Sequence, residues 1–331
     1  MPCTRRRVLE SAWAGTVLAG LGTRAWAQTA APLETVKVIT GFTPGGTSDT
    51  ICRRVAARMQ PGYGKSVVVE NRSGAGGQIA ISAVKAMPPD GSVILQTPMS
   101  MLGIYPHIYK KLAYDPIADL TPVSQGAIFD FGFAVGPAVP AGVKNMVEFL
   151  AWCKANPALA NFGSPASGSV PHFVGVLVGR AAGVDLKHVP YRGTQPAILD
   201  MIGGQIQAVS GPVGEFTQHV AAGKIRLLAT SGAQRNKFAP GVPTLVEQGM
   251  KEMAFSEWFG FYLPAKAAPD VVQRANAALR SALAAPETVD GLELMGLESR
   301  SSSPAELAAM LKADYERWGP LVKAIGFTAE S

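Results

Sequence analysis

A strand-like run, a glycine-rich joint and an amphipathic helical run follow one another three times, and this unit limits the folds open to the chain. VKVIT leads through TPGGTSD into a helical stripe of Ile51, Cys52, Val55, Ala56 and Met59, with Arg53, Arg54 and Arg58 on the opposite face. SVVVE leads through NRSGAGGQ into Ile79, Ala80, Ala83, Val84 and Met87. NFGSPASGS opens the third, which continues as VPHFVGVLVG. A continuous apolar strand that feeds a helix cannot pair with its sequence neighbour through a tight turn. It returns parallel, so such units build a parallel sheet covered by helices on both faces.

The remaining patterns fit an α/β chain of more than one domain. At 331 residues the chain is long for a single core. SVILQT, QIQAVSG and KIRLLATS read as further strands, and EWFGFY as an aromatic-rich one. Asn145 with Glu148 marks a helix start above Met146, Phe149, Leu150 and Cys153. Thr194 opens a helix that Gly203 and Gly204 close, and Ser303, Pro304 and Glu306 form a capping box ahead of a long final helix.

The first 27 residues read differently. TRRRVLE is basic, SAWAGTVLAGLGT is apolar for 13 residues, and AWA offers small residues for cleavage after Ala27. That is the pattern of a secretory leader, and Arg5 and Arg6 followed by Val8 and Leu9 resemble a twin-arginine export signal. The leader holds four arginines against one glutamate, a net of +3, so only +3 of the formal +6 belongs to the mature part. With no basic run beside it, that charge gives no support to nucleic-acid binding. Cys52 and Cys153 lie 101 residues apart in different helical patterns and are expected to be separate buried thiols.

Cofactor and catalytic motifs fail on inspection. GAGGQIA has Ile79 where a dinucleotide fingerprint needs glycine, and GYGKS has Met59 where a P-loop needs its first glycine. No G-x-S-x-G occurs, and His107, His172, His188 and His219 have no metal-site spacing. His172 reads as a core or capping residue. No cofactor or metal is expected.

The three joints themselves remain. Glycine permits close approach of a ligand, a helix start offers free N–H groups and partial positive charge, and Ser and Thr add neutral donors. Such residues are also ordinary caps. Asp49 would repel an anion and reads as support for its own turn. Three joints at the carboxyl ends of strands favour a shared ligand cleft, gripped from opposite sides if they belong to different domains.

In order along the chain, FTPGGTSD, VVVENRSGAGG, PPDGSVILQT, VPYRGTQPAILDMIGGQIQ, RLLATSGAQRNKFAPGVPTLVEQG and WFGFYLPAKAAPDVVQRANAAL resemble the extracytoplasmic solute-binding proteins of tripartite tricarboxylate transporters, the Bug family. The resemblance spans nearly all of residues 33–325. It implies an α/β, type II-like periplasmic-binding-protein fold: two lobes, each a mixed or parallel sheet flanked by helices, joined by a two-strand hinge. Lobe one is expected at 33–128 and 257–331, and lobe two at 129–256. The resemblance also implies a monomeric periplasmic receptor that delivers a small carboxylate to two membrane subunits. The first-lobe contacts carried over are Phe42, Thr43, Gly46 and Thr47, with Ala75 and Gly76 in the second joint. Ser164, Ser167 and Ser169 are the second-lobe contacts, with Thr194 and Ser210 as further candidates. Ala166 stands where relatives usually have glycine, after Pro165, and Gln207 where aspartate is frequent, so the ligand's identity is open. A sensor that signals to a membrane kinase, or an exported α/β enzyme on a carboxylate or ester, are the rival readings.

Overall fold

The computed structural model describes residues 31–329. The predicted leader and Cys3 lie outside them. The first joint is built as the sequence pattern implies. Strand β1 (Leu33–Thr40) leads to helix α1 (Thr47–Met59), whose buried face is the expected apolar stripe, extended at its start by Thr47, Ser48 and Asp49. β2 (Gly64–Asn71), α2 (Gln78–Val84) and β3 (Val93–Pro98) follow. Two one-turn helices, α3 (Ser100–Gly103) and α4 (Tyr105–Ile108), precede the long strand β4 (Leu120–Val135).

The chain continues through α5 (Met146–Ala155), β5 (Asn161–Ser164), α6 (Val170–Ala181), β6 (Lys187–Pro190) and α7 (Thr194–Ile202). Next come β7 (Ala208–Pro212), α8 (Thr217–Ala221), β8 (Arg226–Thr230) and β9 (Ser256–Pro264). The tail is α9 (Pro269–Ala284), α10 (Pro286–Glu293), β10 (Glu298–Ser299) and α11 (Pro304–Ile325). α5 carries its Asn145 cap on Glu148 N–H, and α11 its Ser303–Glu306 capping box.

Two sheets share one strand. In the first sheet β1 lies between β2 and β3, parallel to both. β9 then runs antiparallel between β3 and the first part of β4, and β10 pairs with β4 on its other side. The last residues of β4, from Phe131 or Gly132 to Val135, pair antiparallel with β7 on one side and β8 on the other. β7, β5 and β6 continue that second sheet in parallel. β4 can serve both because it is long and apolar, with Val123, Ala127, Phe129, Phe131, Phe133 and Val135 all buried.

Two sequence expectations shift. The α2 stripe is out of phase: Ile79 is half exposed, and Ala80, Ile81 and Val84 face the core. The cause is the joint itself, where Ala75, Gly76 and Gly77 all have positive φ and turn the chain before the helix begins. QIQAVSG becomes strand only from Ala208. Cys52 and Cys153 are separate buried thiols, as expected, and burial pushes both up from the ordinary thiol range.

Candidate functional site

Five strands end on one cavity. The segments after β1 and β3 in the first sheet meet those after β5, β6 and β7 in the second. They bring Thr47, Ser100, Ser169, Thr194 and Glu215 to a common wall, and β4 and β9 close it with Phe129, Phe131, Glu257 and Phe259. Ligand crevices of open α/β sheets lie at this end of the strands. The space enclosed is about 40 Å³, room for a few waters, so the walls are nearly in contact.

The first joint is held by Asp49. Its Oδ2 accepts from Gly45 N–H at 2.9 Å and Arg53 Nε at 2.8 Å, and its Oδ1 accepts from Asn71 Nδ2 at 2.9 Å. Burial works to raise the Asp49 carboxyl, yet these donors hold it below its ordinary value. Asp49 is therefore the support for the turn that its position suggested.

The third joint is held by histidine. Gly168 N–H donates to His172 Nδ1 at 2.9 Å, so His172, on the first turn of α6, pins the turn that leads into the helix. His172 and His188 lie with ring centroids 3.9 Å apart, and Ser164 Oγ sits 2.7 Å from His188 Nε2. Burial pushes His172 down to about 4 and, together with His172 as neighbour, His188 down to about 3.

Of the expected contacts, Phe42, Thr43, Gly46, Thr47, Ser169 and Thr194 line the cavity together. The rest lie behind or beside it. Ala75 and Gly76 form a short turn, and Gly76 C=O accepts from Tyr105 Oη at 3.1 Å. Ser164 is turned inward onto His188 and Ala166 C=O. Ser167 is half-buried in the third joint, and Ser210 is fully buried in β7 with its hydroxyl unpartnered.

Two lining residues carry charge where sequence reasoning saw none. Glu215 follows β7 and is 6% exposed. Its Oε1 accepts from Thr47 N–H at 3.1 Å and Thr47 Oγ1 at 2.9 Å, and its Oε2 from Gln195 Nε2 at 3.2 Å. A carboxylate of the chain itself thus sits at the start of α1. Glu257 opens β9 and is 3% exposed. Its Oε1 accepts from Ser100 N–H at 2.7 Å and from the Ser100 hydroxyl, which in turn accepts from Val170 N–H at 3.2 Å. Burial raises both carboxyls, Glu257 to about 7. Glu257 was legible as a lone carboxylate in an apolar strand, a costly placement without a purpose. Glu215 had no such signal, since its partner Thr47 is 168 residues away.

The family model described as "Tripartite tricarboxylate transporter family receptor" matches residues 51–327. The chain belongs to this receptor family. A "UPF0065 protein in tcbD-tcbE intergenic region" of Pseudomonas sp. strain P51 is 32% identical over 96% of this chain and 94% of its own. The solved structure of periplasmic binding protein BugD superposes with a TM-score of 0.84 at 28% identity, covering 90% of this chain and 100% of BugD. R. palustris Rpa4515 with adipate gives the same TM-score and identity over 90% of this chain and 99% of that one. The receptor therefore has the two-lobed α/β fold of periplasmic binding proteins, and the family is one of solute-binding proteins. Among the described residues, no helix is long and apolar enough to cross a membrane.

Proposed function

We propose that this chain is a periplasmic receptor, exported by its N-terminal leader, that closes on a small carboxylate and hands it as a monomer to the two membrane subunits of a tripartite transporter. It binds and releases without chemistry. One observation carries the reading: in a chain of this family, helix starts from both sheets converge on a single cavity. The adipate held by the R. palustris relative supports the ligand class.

Residues 33–128 and 257–331 form one lobe and 129–256 the other, with β4 and β9 as the hinge. The ligand carboxylate docks at the α1 start. Glu215 accepts from the N–H of Thr47 there; the N–H groups of Ser48 and Asp49, in the same first turn, donate to the ligand with help from Thr43 and Thr194. Ser169 belongs to the facing side. Ala75, Gly76, Ser164, Ser167 and Ser210 shape the joints around these contacts. A ligand that touches both lobes stabilises the closed form, and one that touches a single lobe shifts nothing.

A thermal-shift series on protein stripped of co-purified ligand tests this. Small mono-, di- and tricarboxylates, amino acids and aromatic acids are titrated singly. At least one raises the melting temperature in a concentration-dependent way. No shift with any acid at millimolar concentration overturns the proposal.

A further inference from the structure

The cavity of this receptor carries two carboxylates and no base. Glu215 and Glu257 line it, and no Lys, Arg or His does. Both are more than nine-tenths buried, and among the described residues no cation is near enough to bond either. Their situations differ. Glu215 has both oxygens engaged by Thr47 and Gln195. Glu257 has only Oε1 engaged, by Ser100, and among the described residues its Oε2 accepts no hydrogen bond.

Glu257 shares the cavity with an aromatic wall of Phe129, Phe131 and Phe259. Phe259 follows Glu257 by two residues on β9, so their side chains share one face of the strand. Phe129 packs on Phe259 with ring centroids 4.5 Å apart, and Phe131 on Phe129 at 5.5 Å. A buried carboxylate oxygen beside aromatic faces attracts a cation twice over, through direct charge and through the ring quadrupoles. The ionised carboxylate repels a second anion, because little water is present to screen it. A dicarboxylate spanning the cavity would set one carboxylate against Glu257.

We propose that the receptor selects acids that also carry a protonated nitrogen, with the ligand carboxylate at the α1 start and its ammonium group on Glu257 Oε2 against Phe129 and Phe259. The inference rests on the carboxylate-receptor reading above and narrows it from acids in general to ammonium acids. Glu257 is the specificity-determining residue, and Ser100 positions it.

Calorimetry at pH 8, above the value of about 7 to which burial raises Glu257, on ligand-stripped protein tests this with matched pairs: adipate against 6-aminohexanoate, and glutarate against both 5-aminovalerate and the α-amino acid norvaline. The best ammonium acid binds at least tenfold tighter than the dicarboxylate of its own chain length. Glu257→Gln, which keeps the shape and an acceptor for Ser100, weakens the ammonium acid at least tenfold and leaves the dicarboxylate unchanged or tighter. If dicarboxylates bind wild type as tightly or tighter, the selectivity is wrong while the receptor function stands. The same holds if the variant keeps the wild-type ranking. If no acid of either kind binds, both fail. Should Glu257→Gln not fold, the wild-type ranking decides alone.

Discussion

Glu257 and His188 are buried ionisable groups whose pH responses oppose each other. Burial raises Glu257 from its ordinary 4.5 to about 7, against the lowering effect of its Ser100 hydrogen bonds. The folded chain then holds this proton more tightly than the unfolded chain does. The resulting stability is complete below pH 4.5 and is lost as pH rises through 7. His188 is the reverse, pushed by burial from 6.5 to about 3. Its stability is present above pH 6.5 and is lost as pH falls toward 3. Between about pH 4.5 and 6.5 the two slopes partly cancel. Urea unfolding at pH 5 and pH 8 separates them. Glu257→Gln gains about 2 kcal/mol on wild type between the two pH values, from a pKa difference worth about 1.4 kcal/mol per unit. His188→Gln loses on wild type over the same interval. Parallel curves for Glu257→Gln and wild type would show a carboxyl that titrates normally.

At the scale of single elements, the joints both displayed and concealed the site. Sequence pattern located all three joints because each condition is local: glycine for the turn, a hydroxyl or Asp at the first and third helix starts, an apolar stripe after it. The same locality hid the phase of α2, since the positive-φ residues 75–77 use up chain without leaving a periodic signal. It hid Glu215 more completely, because what makes that residue part of the cavity is a crossing from the second sheet to α1. Gly168 shows how closely the joints meet. Its φ is +74°, and a methyl group built there would lie 1.9 Å from Ile108 Cδ1 on α4, across the meeting of the two sheets. Its N–H also ties the joint to His172 on α6. Gly168→Ala must therefore bear left-handed strain and displace Ile108. It destabilises the fold by about 1–2 kcal/mol. It also weakens ligand binding, because Ile108 is pushed where the walls close. Denaturant midpoints and calorimetric affinity check the two effects. A loss of stability with unchanged affinity would place the strain outside the closing surface.

For the whole molecule, the question is what holds the walls together when no ligand does. Among the described residues, two polar links cross at the cavity: Glu215 to the Thr47 N–H and hydroxyl of α1, and Val170 N–H of α6 to the Ser100 hydroxyl; the Lys237–Glu293 ion pair crosses away from it. Each of the two cavity links forms only when the walls meet, so each favours the closed form over the open one. A neutral hydrogen bond contributes about 0.5–1.5 kcal/mol and one to a charged group about 1.5–3 kcal/mol, enough to change a two-state ratio by a factor of roughly 2 to 150. In the proposed docking, Glu215 thus does for the empty receptor part of what the ligand carboxylate would do for the loaded one, at the same helix start. Removing it shifts the empty molecule toward the open form while leaving the loaded form closed through the ligand's own contacts. X-ray scattering on wild type and Glu215→Ala reads this directly. The ligand-free variant has the larger radius of gyration, and saturating ligand brings both proteins to the same smaller value. Equal radii in the ligand-free state would mean that the Thr47–Glu215 pair follows closure without driving it, and that closure of the empty receptor rests on the apolar walls instead.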